Sequence, residues 1–222
     1  MGEISSIEMK MWTALFLVSL ALLQSAGVYA DTEERPIRFA FYHNFEPGLL
    51  ERMGGNTGLE KILHESVRKI EKKIAVKIQI TRIEEFKPPL ITEVWRDENS
   101  MTAYHNMALD YIPTEHSDFS FLIIDDPLYM QDGEAESIPG KKAVVKYSST
   151  DTENKKFLTT LIHEWGHLLG RQHTTPEECR DAIQPIMCRG WGEAEEFFME
   201  EEFKQAILCF SKKLECAEPE AL

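Results

Sequence analysis

The hydrophobic and polar positions of this chain follow two periods, one typical of strands and one typical of helices. Residues 37–42 form a short apolar run that predicts a first strand, and the apolar residues of 58–74 recur at helical spacing. Residues 76–81 alternate between apolar and polar, which predicts a second strand. After a Pro-Pro break, residues 98–111 predict a second helix with one apolar side. That side comprises Met101, Tyr104, Met107, Ala108 and Tyr111.

The middle of the chain predicts two more strands. Residues 119–124 are continuously apolar, which favours a buried central strand. A loop rich in glycine and acidic residues, 131–140, separates this run from residues 142–147, which predict a further strand. Strands and helices in this order predict an α/β (α+β) fold, in which helices pack on a twisted mixed sheet.

Two helices are predicted after the last of these strands. Thr150 and Glu153 fit a capping box, in which a hydroxyl and a carboxylate each accept from a free amide at a helix start. The helix that follows has an apolar side of Phe157, Leu158, Leu161, Ile162, Trp165, Leu168 and Leu169. A closing helix is predicted over 193–212. It offers Phe197, Phe198, Phe203, Ile207, Leu208 and Phe210 for burial, and its acidic residues predict a solvated face rather than a calcium site.

Charge and the first residues narrow the class of partner and the compartment. A net charge of −14 at pH 7 argues against nucleic acid or an anionic membrane surface as a partner. Residues 1–30 resemble a secretory signal, because 12–23 are nearly all apolar and 28–30 offer small residues where a signal peptidase reads. We therefore expect cleavage before Asp31 and a secreted, extracellular monomer without membrane attachment. A retained membrane anchor is the alternative.

The chemistry is concentrated in residues 163–173, which read H-E-x-x-H-x-x-G-x-x-H. On a helix, His163 and His167 leave the same face and can share one metal ion. Gly170 suits a left-handed helix stop, after which the reversed chain can bring His173 to the same ion. Three neutral imidazoles and a water form an open tetrahedral site, the pattern of catalytic zinc. The alternative, a buried helix that happens to carry these residues, explains neither the spacing nor the glycine.

This motif resembles that of the metzincin zinc endopeptidases. Metzincins also have a methionine turn below the metal, and Met187 stands at the matching position downstream of His173. A lone methionine is more often core filler, so this match depends on its position. An Ile-Met-Cys sequence is similar to the reprolysin (adamalysin) branch. That branch has Asp after the third histidine, whereas astacins have Glu, matrixins have Ser and this chain has Thr174, so the subfamily stays open.

The resemblance implies a metzincin-like zincin fold over residues 31–222. It divides this catalytic domain into an N-terminal subdomain, 31–170, and a small cysteine-containing C-terminal subdomain, 171–222. Metzincin substrates pair with an edge strand, and residues 142–147 are our candidate for it.

The implied activity is hydrolysis of peptide bonds in protein or peptide substrates by a secreted metalloprotease. One Zn²⁺ ion would activate a water molecule, and Glu164 would act as the general base. A secreted binding protein or toxin that holds zinc without proteolysis is the alternative, and the intact Glu164 argues against it. Because few residues and no cysteine separate residue 30 from the first strand, we also expect no cysteine-switch prodomain.

The remaining cysteines and histidines carry weaker signals. Four cysteines follow the motif, and in a secreted chain an even number predicts two disulfides with all three pairings open. A zinc–thiolate cluster is the rival interpretation, but no C-x-x-C spacing supports it. The other histidines have no ligand spacing and are predicted to be structural or exposed. These residues are Cys179, Cys188, Cys209 and Cys216, and His43, His64, His105 and His116.

Overall fold

A five-stranded sheet organises the described part of the chain. The computed structural model describes residues 35–45, 47–87, 98–129, 131–148, 150–151, 153–180, 183–188 and 196–212. The strands are β1 (Ile37–His43), β2 (Ile78–Glu85), β3 (Phe119–Ile124), β4 (Gly133–Ala135) and β5 (Lys142–Lys146), in the order β2-β1-β3-β5-β4. Four strands are parallel, and β4 is antiparallel to β5. This arrangement confirms the predicted mixed α/β fold, while the predicted signal segment lies outside the described residues.

Helices cover both faces of this sheet. They are α1 (Pro47–Arg52), α2 (Gly55–Ile74), α3 (Glu98–Ala108), α4 (Lys155–Leu168) and α5 (Glu201–Lys212). The side chains of β1 alternate between two cores: Phe39 and Phe41 pack with α2, α4 and α5, whereas Ala40 and Tyr42 pack with the end of α3. Because both faces are covered, all six residues of β3 are buried, as the continuous apolar run predicts.

The apolar side predicted for residues 98–111 is correct at Ala108 but wrong at Met107 and Tyr111. Met107 and Tyr111 are 47% and 59% exposed, while Ala108 and Leu109 are buried. The helix tightens into a 3-10 turn at Leu109–Tyr111, which has three residues per turn instead of 3.6. The buried side therefore shifts, and Ile112 contacts the sheet where Tyr111 was expected to.

The predicted loop 131–140 contains strand β4, which changes which strand forms the edge. Its three residues are small or charged and show no apolar alternation, so the sequence pattern does not reveal it. In the sheet β5 lies between β3 and β4. The prediction that residues 142–147 form the edge is therefore wrong. Among the described strands, β4 is the edge strand on this side of the sheet and β2 on the other.

Helix α4 begins differently from the predicted capping box. Asp151 caps it: the Lys155 and Phe157 backbone N–H groups each donate to an Asp151 carboxylate oxygen at 3.0 Å. Thr150 instead shares a hydrogen bond with the Ser148 hydroxyl. Asp151 is one residue nearer the helix than Thr150, and its two carboxylate oxygens reach both amides. The predicted capping box is therefore wrong, because Asp151 and not Thr150 accepts from the helix N–H groups.

The C-terminal part starts its helix later than predicted. Strand β7 (Glu196–Phe198) pairs in parallel with β6 (Ile183–Pro185), and α5 follows only at Glu201. Phe203 is fully buried, as predicted, but Phe198 is 46% exposed. In the main sheet, the observed strand β2 begins and ends later than the strand predicted over residues 76–81.

The cysteines form disulfides, as predicted. Cys179 and Cys188 are bonded, with Cα atoms 5.7 Å apart, which selects their pairing among the open alternatives. Cys209 is also disulfide-bonded, and Cys216 lies outside the described residues. Among the helices that the structure describes, none is long and apolar enough to cross a membrane.

Candidate metal centre

Helix α4 and the chain reversal after it bring three histidines together. His163 and His167 lie one turn apart on α4 and are buried. Gly170 has a φ of +91°, the left-handed conformation predicted for the helix stop. His173 then returns to the helix, with its Nε2 atom 3.2 Å from that of His167, whose Nε2 is 3.1 Å from that of His163. Within the described ranges, this is the only cluster of potential ligands able to hold a metal ion.

The hydrogen bonds of two rings show which nitrogen atoms would face a metal. His163 Nδ1 lies 2.7 Å from the Ile186 carbonyl oxygen, and His167 Nδ1 lies 2.7 Å from that of Arg171. A carbonyl oxygen only accepts, so each Nδ1 carries the hydrogen and donates it. Each Nε2 then presents a lone pair. Two lone pairs at 3.1 Å repel each other unless a cation lies between them.

The distances and the charge state also fit zinc. A tetrahedral zinc ion with bonds of about 2.0–2.1 Å to nitrogen separates its nitrogen ligands by about 3.3 Å. The observed 3.1 and 3.2 Å are close to this value. Burial lowers the pKa of His163 to about 4, and burial also lowers the pKa of His167. Both rings are therefore neutral near pH 7, as metal ligands must be.

Glu164 lies next to the three histidines in a buried position. Its Oε2 atom has no hydrogen-bond partner among the described residues. Burial raises the pKa of Glu164 to about 8; the charge of Glu134 acts in the same direction, and a hydrogen bond from the Ala135 backbone acts against it. A buried carboxyl oxygen without a hydrogen-bond partner is costly, and such groups are frequent at functional sites.

Met187 lies against the helix that carries the histidines. It is 1% exposed, and a Cβ atom on Gly166 would be 2.3 Å from its Sδ atom. The preceding residue, Ile186, supplies the carbonyl that accepts from His163. The turn therefore contacts α4 both through a side chain and through its backbone. The motif match predicted the position of Met187 but gave no sign of the contact between Ile186 and His163.

Changing Gly166 to Ala should destabilise the protein although alanine favours helices. The substitution gains about 1 kcal/mol in helix propensity. Overpacking a core costs about 1–3 kcal/mol, and here the new methyl group would overlap Met187 Sδ. We expect a net loss of unfolding free energy in urea, and a smaller loss when Met187 is also changed to Ala. Equal effects of Gly166→Ala in both backgrounds would contradict the contact.

Two residues outside the motif join the site. Thr174 Oγ1 donates to Glu200 Oε1 at 3.2 Å, and the Met187 N–H donates to the same oxygen at 3.3 Å. Glu200 precedes α5, far along the chain from the histidines. No spacing rule relates it to them, so sequence reasoning could not find it.

The remaining histidines lie away from this cluster. His43 and His105 are buried, whereas His64 and His116 are exposed. His105 Nε2 lies 3.1 Å from an Asp126 carboxylate oxygen. This placement agrees with the prediction that these four histidines are structural or exposed.

Comparisons with known proteins relate the chain to others through its structure alone. No family model and no curated protein matches the sequence. The structure is similar to archaemetzincin from Methanopyrus kandleri, with a TM-score of 0.53 and 14% identity, over 84% of this chain and 99% of that one. The fold is the one that the motif implies.

A second solved chain shares this fold. It belongs to a chaperone–substrate complex and matches with a TM-score of 0.52 and 12% identity, over 82% of this chain but 34% of that one. At such identities the likeness establishes the fold and not the activity. The reprolysin branch suggested by the sequence is not confirmed. The fold and the three-histidine cluster together fit a zinc peptidase.

Proposed function

We propose that this chain is a secreted zinc-dependent endopeptidase. The observation that carries the proposal is the convergence of three imidazole nitrogens on and after helix α4. The residue next to His163 on that helix is Glu164, whose buried Oε2 atom has no hydrogen-bond partner among the described residues. His163, His167 and His173 would hold one zinc ion. A purely structural zinc site closes its coordination with four protein ligands, whereas a catalytic site uses three. Among the described residues these three histidines form the whole cluster.

Glu164 would move the proton. Zinc held by the three histidines supplies Lewis acidity, which polarises a carbonyl and makes water more acidic. Oε2 of Glu164 accepts the proton of the attacking water and then gives it to the nitrogen of the leaving amine. Burial keeps this carboxyl away from bulk water, so the proton that it holds passes to the substrate. The histidine rings are neutral, but a zinc ion held by them would carry a positive charge. That charge would favour the ionised form of Glu164 before the attack.

The edge of β4 that faces away from β5 would bind the substrate backbone. The Lys146 N–H donates to the Asp132 carbonyl, and the Glu136 N–H donates to the Lys142 carbonyl, so these residues turn their backbone groups towards β5. In an antiparallel pair the alternate residues, Gly133 and Ala135, turn theirs away from β5. The Ala135 backbone donates to Glu164, so Gly133 offers the backbone groups for a peptide. An extended peptide can pair with such an edge.

The same edge runs directly beside the proposed base. A Cβ atom on Gly133 would lie 2.6 Å from Glu164 Oε1, so the β4 backbone passes close to the carboxylate. A peptide paired with this edge would therefore have its backbone near Glu164. This placement supports cleavage of internal peptide bonds of a bound substrate, rather than binding of a peptide without cleavage.

The disulfide supports secretion. Disulfides form and persist outside the cytosol, in oxidising compartments. The Cys179–Cys188 bond lies between His173 and the end of the methionine turn, so it belongs to the site itself. A secreted protein with a cleavable signal should begin at Asp31. N-terminal sequencing of the protein from culture medium would test this expectation.

Removal of zinc should abolish hydrolysis of an unfolded protein substrate by the purified protein. A chelator such as 1,10-phenanthroline is expected to stop cleavage, and added Zn²⁺ is expected to restore it, because the carbonyl would otherwise lack its Lewis acid. Product peptides can be followed by mass spectrometry, with metal content measured in parallel. A protein that holds one zinc ion per chain but cleaves nothing in a broad peptide library would favour the binding-protein alternative.

A further inference from the structure

The third histidine depends on its neighbours more than the other two. His163 and His167 are fixed by helix α4, whereas His173 lies on an irregular segment and is exposed. The next residue, Thr174, is anchored at two atoms. Its N–H donates to the Met187 carbonyl at 3.0 Å, and its hydroxyl donates to Glu200 Oε1 at 3.2 Å. These two bonds hold the backbone directly after His173.

The first histidine depends on a peptide group of the same turn. The bond between Ile186 and Met187 forms one planar peptide unit. Its carbonyl oxygen accepts from His163 Nδ1 at 2.7 Å, and its N–H donates to Glu200 Oε1 at 3.3 Å. The unit thus joins the ring of His163 to the carboxylate of Glu200.

One oxygen atom of Glu200 therefore reaches two of the three histidines. It acts on His173 through the Thr174 hydroxyl and on His163 through the Ile186–Met187 peptide. The other oxygen, Oε2, is buried without a hydrogen-bond partner among the described residues. One oxygen of the carboxylate is therefore hydrogen-bonded to Thr174 and Met187, and the other is buried.

The backbone of Glu200 forms hydrogen bonds that do not involve its side chain. Its carbonyl oxygen accepts from the Phe203 and Lys204 N–H groups and so begins helix α5. A substitution of the side chain leaves this carbonyl in place. Any effect of the side chain on the histidines can therefore be measured without removing the helix start.

The physical effect on a metal follows from the charge of the carboxylate. Hydrogen bonds to a charged group are about twice as strong as neutral ones. A carboxylate that accepts the Met187 N–H polarises the peptide, and the Ile186 oxygen becomes a better acceptor for His163. Partners of this kind orient a ligating histidine and raise its basicity.

We propose that Glu200 is a positioning residue of the metal centre. It aligns His163 through the Ile186–Met187 peptide and His173 through Thr174, and it does not contact the metal. This inference rests on the zinc site of the proposed function and deepens it. The rival interpretation is that the side chain only stabilises the packing of α5 against the turn.

Zinc affinity separates these interpretations. Glu200→Ala should weaken zinc binding about 10- to 100-fold, the usual effect of removing a partner of a metal-bound histidine. Thr174→Val keeps the shape of the side chain and removes only its hydroxyl, so a weakening of about 3- to 10-fold is expected. Glu202→Ala is the matched control, because it removes the same charge from an exposed position in the first turn of α5. Affinities come from competition with a chromophoric chelator.

Two further readings complete the experiment. The visible spectrum of the Co²⁺-substituted protein reports ligand geometry and should change in Glu200→Ala and Thr174→Val but not in Glu202→Ala. The two substitutions should also be non-additive in zinc affinity, since both act through one oxygen atom. If Glu200→Ala does not fold, Thr174→Val still tests the link to His173.

Unchanged zinc affinity and an unchanged cobalt spectrum in the folded variants would overturn the proposal, whatever happens to unfolding by urea. The same holds if the unsubstituted protein binds neither metal. Failure of the proposed function looks different. A zinc-loaded protein that cleaves no peptide, but whose zinc affinity falls in Glu200→Ala, would refute the peptidase and leave the role of Glu200 intact.

Discussion

Replacing Glu164 with Gln is expected to lower the rate of peptide hydrolysis by about 10²- to 10⁴-fold while zinc stays bound. Glutamine keeps the size of the side chain, but its amide cannot take a proton from water. The histidines are not altered, so metal content should equal that of the unsubstituted protein. Steady-state cleavage of a fluorogenic peptide measures the rate, and elemental analysis measures the zinc.

Glu153→Gln provides the matched control for this experiment. Glu153 lies just before α4, is exposed and pairs only with Lys155 among the described side chains. The Glu153→Gln variant should cleave the fluorogenic peptide at the rate of the unsubstituted protein. A Glu164→Gln variant that retains full activity with bound zinc would show that another group takes the proton.

Replacing Gly133 with Ala is expected to reduce hydrolysis by about 10²-fold, because small displacements in an active site have effects of this size. The new Cβ atom would lie 2.6 Å from Glu164 Oε1 and 2.8 Å from Thr160 Cγ2. Contacts this short force the β4 edge and the carboxylate apart. Zinc affinity should not change, since Gly133 does not contact the histidines.

Gly48→Ala is the matched control, because it adds the same methyl group at a position with space for it. Gly48 is exposed in α1, and the nearest atom to an added Cβ would be 3.7 Å away. This control should keep full activity. If the Gly133→Ala variant cleaves as fast as the Gly48→Ala variant, the rate of hydrolysis does not depend on the position of the β4 edge relative to Glu164.

The parts of the molecule that the sequence predicts well are those with strong local signals. The apolar run of β3, the periodic residues of α2 and the spacing of the three histidines each reflect a short-range pattern. The histidine spacing works because a helix places residues four apart on one face. The structure brings all three histidines together as this argument requires.

The parts that the sequence does not predict depend on contacts between distant residues. Strand β4 has three residues with no apolar signature, and it exists because β5 offers it an edge. The capping-box pattern predicts Thr150 as the cap of α4, whereas Asp151 supplies the contacts, because a short sequence pattern cannot choose between two neighbouring polar residues. Glu200 and Ile186 meet the histidines only after the chain has folded back on itself.

The Cys179–Cys188 bond bears on how the protein would survive its own activity. Arg180 and Ile183, between the two cysteines, are exposed, and exposed positions are favoured sites of proteolysis. A single cut there would leave the two fragments covalently joined across the bond. The histidines and the methionine turn would stay tethered to each other, so autolysis at this point would become visible on a gel only after reduction.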